Sequence, residues 1–154
     1  MTIKASTGLR DAMLGTVGFK GALANGVLEI YSGAQPATAD AAPTGTLLAR
    51  ITLDGGAFSH GSPTNGLNWD TPANAAIQKP SGDNWQGLGL ALGTAGWARF
   101  KGNPADNDGS STTLARVDYS VGKTSGDIRL PNINIDVSDP VTVNDASMQL
   151  PISK

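Results

Sequence analysis

An all-β fold, an antiparallel β-sandwich of jelly-roll type preceded by a short N-terminal helix and arm, is what this sequence predicts. Three observations carry the prediction. Five segments alternate apolar and polar residues with the period of two that a half-buried strand imposes. Between them lie runs rich in turn formers, drawn from 20 Gly and 9 Pro. That pattern suits the short strands of a sandwich or barrel and not a helical bundle. Charged residues make up only 16%, too few for self-repulsion to keep the chain unfolded. A length of 154 residues fits one domain around one core.

The first 24 residues read differently from the rest. In "STGLRDAML", Ser6 or Thr7 supplies an N-cap, Asp11 sits in the first turns, and Leu9, Met13 and Leu14 recur at helical spacing. Gly15 stops the helix. The following "TVGFKGALANG" has a glycine every three to four residues, too many for a stable helix. Such a helix on a Gly-rich tether either closes one end of the core or packs on a neighbouring subunit. We assign residues 1–24 as helix and arm and residues 25–154 as the β domain. Leu9, Met13, Leu14 and Phe19 are then the arm's contact residues.

The strands follow in order. "VLEIYS" sets Leu28 and Ile30 against Val27, Glu29 and Tyr31. "TLLARITL" points Leu47, Ala49, Ile51 and Leu53 one way and Thr46, Leu48, Arg50 and Thr52 the other. Between these two strands runs a connector from Gly33 to Gly45, far longer than the two to five residues usual for a hairpin. Pro36 can start a helical turn there, and Pro43-Thr44-Gly45 can turn the chain back, so the connector reads as a packed surface loop. Ser59 to Gly87 carries three prolines and is either a set of long loops or an insertion around the weak strand "NAAIQ".

"TAGWARFK" sets Ala98 and Phe100 opposite Trp97, Arg99 and Lys101. "RVDYSVG" alternates Val117, Tyr119 and Val121 with Arg116, Asp118 and Ser120. "NINIDV" buries Ile133, Ile135 and Val137. In the last segment the apolar parity changes from Val141 and Val143 to Ala146, Met148, Leu150 and Ile152. A strand cannot switch parity without an extra residue, which places a bulge or turn at "VNDA". Pro151 marks the end of this strand at a sheet edge.

Chemistry is sparse. The single histidine, His60, lies in a Gly/Ser/Pro loop with no nucleophile elbow anywhere in the chain. "DNDGSS", Asp106 to Ser111, opens like a calcium loop but lacks the later acidic ligand, so it reads as a turn. "GLGLALGTAG", Gly87 to Gly96, has no Gly-Lys-Ser/Thr ending, and its glycines read as places where backbones approach closely. No catalytic, metal or cofactor site is expected. The lysines and arginines are scattered, net charge is −2, and no apolar run is long enough for a membrane helix. Nucleic acid and membrane are therefore not expected partners. No apolar signal-peptide core is present at the N-terminus, so synthesis in the cytoplasm is expected. Trp97 belongs to a strand. Trp69 and Trp85 lie in polar loops, where a ring either folds under its own loop or anchors a partner, by stacking on a sugar for example.

"TGLRDAML" at Thr7–Leu14, "IYSGAQPATADAAPTGTLLARITL" at Ile30–Leu53 and "GTAGWARF" at Gly93–Phe100 together resemble small β-rich virion proteins encoded in the structural gene blocks of tailed bacteriophages. The likeness is strongest from Thr7 to Leu53. It implies a non-catalytic virion component present in repeated copies, self-associating as a trimer or dimer. Its partners would be the major capsid protein or proteins of the neck or tail. The alternative is a carbohydrate- or receptor-binding module on the virion that uses Trp69 and Trp85.

Overall fold

The computed structural model describes residues 3–150. Four long strands make its centre: β2 (Val27–Ser32), β3 (Leu47–Leu53), β6 (Gly93–Lys101) and β7 (Arg116–Gly122). They pair antiparallel in the order β3–β2–β6–β7. Register puts like with like across all four. Leu28 lies opposite both Ile51 and Phe100, Ile30 opposite Ala49 and Ala98, and Phe100 opposite Val117. On the other face Glu29 lies opposite Arg50 and Arg99, and Arg99 opposite Asp118. The alternation visible in each segment thus becomes one apolar and one charged face of a single sheet.

One detail of that alternation is corrected. The β2–β3 register shifts between Ile30 and Tyr31, so Tyr31 faces Leu47 and the chain at Leu48–Ala49 carries an extra residue. Leu48 joins the core beside Ala49, whereas Leu47 is only half-buried.

The apolar face is filled by aromatic rings. Trp69 lies 5.3 Å from Trp85, 5.3 Å from Phe100 and 6.1 Å from Tyr119, centroid to centroid. Trp69 comes from the long Ser59–Gly87 region, and Trp85 opens the short strand β5 (Trp85–Leu88). That region therefore supplies core and is not a protrusion.

The remaining strands extend the sheet. They are β1 (Lys4–Ala5), β4 (Ala76–Gln78), β8 (Ile128–Arg129), β9 (Asn134–Ile135), β10 (Pro140–Thr142) and β11 (Asp145–Gln149). The hydrogen-bonded path runs β10–β5–β3–β2–β6–β7–β8–β11–β4, with β1 on β7 and β9 on β6. It is one curled mixed sheet, in which β7–β8 is parallel, rather than two separate sheets. The segment from Pro140 to Gln149 curls it. Its first part pairs with β5; Val143 N–H then donates to Trp85 O and Asn144 N–H to Arg129 O, after which β11 pairs with β8 and β4. The parity change lies where the segment swaps partners. Pro151 and Ile152 lie outside the described residues. Val137, expected inside, is 61% exposed, because β9 ends at Ile135 and the chain turns at Asp136–Asp139.

The N-terminal residues are part of this body, not a detached arm. Helix α1 (Thr7–Leu14) is capped by Ser6, whose hydroxyl accepts from Leu9 N–H and from Arg116 N–H and donates to Leu114 O. Leu9 and Leu23 are fully buried in the common core. Gly8 permits the close approach, since a Cβ there would fall against the Thr113 carbonyl. Despite its glycines, "TVGFKGALANG" includes a second short helix, α2 (Gly18–Ala22), packed beside α1.

Candidate interaction surfaces

The charged face of the central sheet is dry. Glu29, Arg99, Lys101, Arg116 and Asp118 are each at most 1% exposed, which is affordable only when every charge has a partner. Glu29 accepts a forked bond from Arg50 at 3.0 and 2.7 Å and a bond from Tyr31 Oη at 2.8 Å, and lies 2.6 Å from Lys101 Nζ. Arg99 grips Asp118 at 2.7 and 2.9 Å. Arg116 grips Asp106 at 2.7 and 2.6 Å, and Lys101 also pairs with Asp108.

Two loops cover this face and are fastened by it. From the Gly33–Gly45 connector, the carbonyl of Ala41 accepts from Arg99 at 2.8 Å, that of Pro36 from Lys4 at 2.6 Å, and that of Thr44 from the Trp97 indole at 3.3 Å. The connector re-enters β3 through Gly45, whose φ of +82° only glycine adopts without strain. From the Gly102–Ala115 loop come Asp106 and Asp108 themselves. Their carboxylates point at Arg116 and Lys101, so "DNDG" serves as an ion-paired turn.

Burial raises the affinity of these carboxyls for protons, and their partners oppose it. At Glu29 burial is outweighed by Lys101, Tyr31 and Arg50, leaving the carboxyl below its ordinary range. Asp106 is likewise held low by Arg116 against its burial. At Asp118 burial prevails over Arg99 and pushes the carboxyl up. Burial and the Glu29 charge push the Tyr31 phenol up as well. Chemically, the arrangement clamps loops onto a sheet.

The outer surface offers two apolar features. One is a groove of about 290 Å³ between α2 and the β4–β11 pair, lined by Met13, Val17, Phe19, Ile77, Met148 and Leu150, with Lys20 as its charged lining residue. The Phe19 ring rests edge-on against Trp69, 5.6 Å between centroids. The other is a ridge. Leu88, Leu90 and Leu92 are 59%, 54% and 74% exposed, and Val137 stands beside them. The residues between the leucines are small and turn inward. A Cβ on Gly89 would strike the Asp136 carbonyl, and one on Gly87 the Arg50 carbonyl. The Gly-Leu alternation was the sequence signal for this ridge, and it was legible only as backbone proximity.

The six residues assigned to partner contact divide evenly. Met13 and Phe19 line the groove, and Leu14 is 89% exposed on the same helix pair. Leu9, Trp69 and Trp85 are core residues at 0%, 1% and 0% exposure. Neither tryptophan has a ring face to offer a sugar, because both are needed to fill the space above Phe100. His60 is exposed, with Nδ1 3.1 Å from Asn103 O and its ring against Phe58. Among the described residues no group of three His, Asp or Glu side chains is placed to hold a metal, and no helix is long and apolar enough to cross a membrane.

Compared with known proteins, the chain matches no family model, no curated protein and no solved structure.

Proposed function

We propose that the chain is a non-catalytic structural subunit of a tailed-phage virion, acting as an oligomer on the capsid surface or at the head–tail neck. The carrying observation is the pair of apolar surfaces left outside a body whose interior is fully furnished. Each of the two gathers several apolar side chains, and grouped apolar surface on a small protein marks contact with other proteins. The resemblance from Thr7 to Leu53 supplies the setting. Two parts of that resemblance have structural work to do in this chain: "TGLRDAML" anchors the helix through Leu9, and "SGAQPATADAAPTG" forms the lid over the charged face. The perturbed carboxylates support a structural role too, since each is spent on a cation beneath a loop.

Mass spectrometry of purified virions produced from the genome that encodes this chain tests the proposal. We expect the chain in the particles at a stoichiometry of several copies, and a cryo-EM map would then locate it on head, neck or tail. Particles complete and infectious without the chain among their proteins would overturn it.

A further inference from the structure

We propose that the ridge of one copy docks in the groove of the next, so that the chain self-associates head to tail through two unlike surfaces. This rests on the reading of the chain as an oligomeric subunit and names the interface. The two surfaces are complementary in polarity and charge. The ridge presents three leucines of alternating sequence position, each more than half exposed, with Gly89 and Ala91 turned inward between them. The groove is concave and, at about 290 Å³, lies near the lower bound of roughly 300 Å³ for small-molecule pockets. It suits a few aliphatic side chains better than a sizeable ligand.

Charge supplies the polarity of the match. The turn beside the ridge carries exposed Asp136 and Asp139; Gly89 N–H donates to the Asp139 carbonyl, which fixes that turn against the leucines. The groove's charged lining residue is Lys20, exposed on α2, and among the described residues no carboxylate lines it. A ridge against a second ridge would instead bring four carboxylates together, and a groove against a groove would leave a void. Opposite charges meet only when unlike surfaces pair. The two share no residue: the ridge belongs to the end of β5 and the residues after it, and the groove to the helix pair with β4 and β11. Each copy therefore presents both. An unlike-surface contact of this kind repeats into a ring when the rotation closes, and into a filament when it does not.

The experiment is sedimentation velocity on the full chain over a concentration series, alone and in mixtures. Leu90→Asp destroys the ridge and leaves the groove; Val17→Asp destroys the groove and leaves the ridge. Both sites are exposed, and near-native tryptophan emission would show that the buried rings remain packed. Wild type is expected to grow in mass with concentration. Each variant alone is expected to associate about thirtyfold more weakly or worse, the loss typical of a central anchor residue. An equimolar mixture of the two should form a heterodimer and stop there, because it holds one intact ridge and one intact groove. As a second arm, Lys20→Glu should weaken association and Asp139→Lys should restore it in a mixture of the two.

If wild type associates and the mixture fails to rescue, the interface joins like surfaces, or other ones, and this inference fails while the oligomeric subunit stands. If wild type stays monomeric at every concentration and in the presence of purified particles, the subunit proposal falls, and the inference with it.

Discussion

On one face of the four central strands, Leu28, Ile30, Phe100 and Val117 pack on Trp69 and Trp85. On the other, Glu29, Arg99, Lys101 and Asp118 pair with one another beneath two loops. Both faces are dry, but they are held differently. Apolar burial is non-directional and accepts any filling of the right volume. A buried ionic layer is worth little in net stability, and it fails badly when one member is lost. What the ionic layer adds is position: the guanidinium forks and carboxylates fix where the Gly33–Gly45 and Gly102–Ala115 loops lie. The apolar face makes the domain stable, and the charged face decides what its outer surface looks like.

The sharpest way to break this contrast is to remove half of a buried pair. Asp118→Ala leaves the Arg99 guanidinium charged and unpaired at 0% exposure, and should cost about 3–5 kcal/mol in urea unfolding. Replacing both, as Arg99→Met with Asp118→Leu, should recover most of that loss. If the double variant is as damaged as the single one, the bond from Arg99 to the Ala41 carbonyl matters more than the ion pair.

Acid should separate the faces next. Phe100→Ala is expected to cost about 3–5 kcal/mol at neutral pH and nearly the same at pH 4, because nothing on the apolar face titrates there. The charged face behaves otherwise. Glu29 and Asp106 sit below their ordinary values of 4.5 and 3.8 in the folded protein. Between the two values the unfolded chain binds more protons, so stability rises with pH in that window. Their contribution is therefore fully present above about pH 5 and is lost as the pH falls through the depressed folded values. Asp118, pushed up by burial, works in the opposite sense and favours the folded state as it protonates. Stability curves of Glu29→Gln and Asp106→Asn should accordingly be flatter in acid than wild type. An Asp118→Asn curve should be steeper, and an equal slope in all three would refute the assignment.

Much of this contrast was legible in the sequence, but its meaning was not. Alternation in "VLEIYS", "TAGWARFK" and "RVDYSVG" places strands where they occur and sorts Leu28, Ile30, Ala98 and Phe100 onto one face. It cannot say that Glu29, Arg99 and Asp118 are covered, because burial of a charge depends on carboxylates and carbonyls in loops far along the chain. Trp69 and Trp85 were hidden for the same reason. Their neighbours in sequence are polar loop residues, whereas their neighbours in space are Phe100 and Tyr119. Strand β8 has only two residues and pairs in parallel with β7, so it carries too little alternation to read. Of the outer surface, Met13 and Leu14 were readable from helical spacing, and Phe19 only as a residue of the Gly-rich arm, whose short helix was not foreseen. The leucine ridge was written in plain alternation but masked by its glycines.

A smaller effect tests the seam where helix and charged face meet. The Ser6 hydroxyl serves the helix through Leu9 N–H and serves β7 through Arg116 N–H, beside the Arg116–Asp106 pair. Ser6→Ala should cost about 1–2 kcal/mol, the upper part of the usual range for losing an N-cap. Hydrogen exchange should show the loss concentrated in residues 7–14. If protection falls across the whole sheet instead, α1 is as integral to the core as the strands are.

The smallest expected change has the opposite sign. Within the apolar face, the Tyr119 hydroxyl and the Trp69 and Trp85 indole N–H groups have no hydrogen-bond partner among the described residues. Tyr119 is fully buried, and its phenol is pushed well above its ordinary value by that burial and by Asp127. A buried hydroxyl without a partner costs folding free energy, since water bonds to it in the unfolded chain and nothing does so in the core. Tyr119→Phe removes the oxygen and keeps the ring against Trp69, so it should raise stability by up to about 1 kcal/mol. The urea midpoint should move up with an unchanged slope, as befits a change in stability without a change in the surface exposed. A destabilised variant would mean that this hydroxyl is bonded after all. The apolar face would then depend on a directional polar contact, as its opposite face does, and the division of labour between the two would be one of degree.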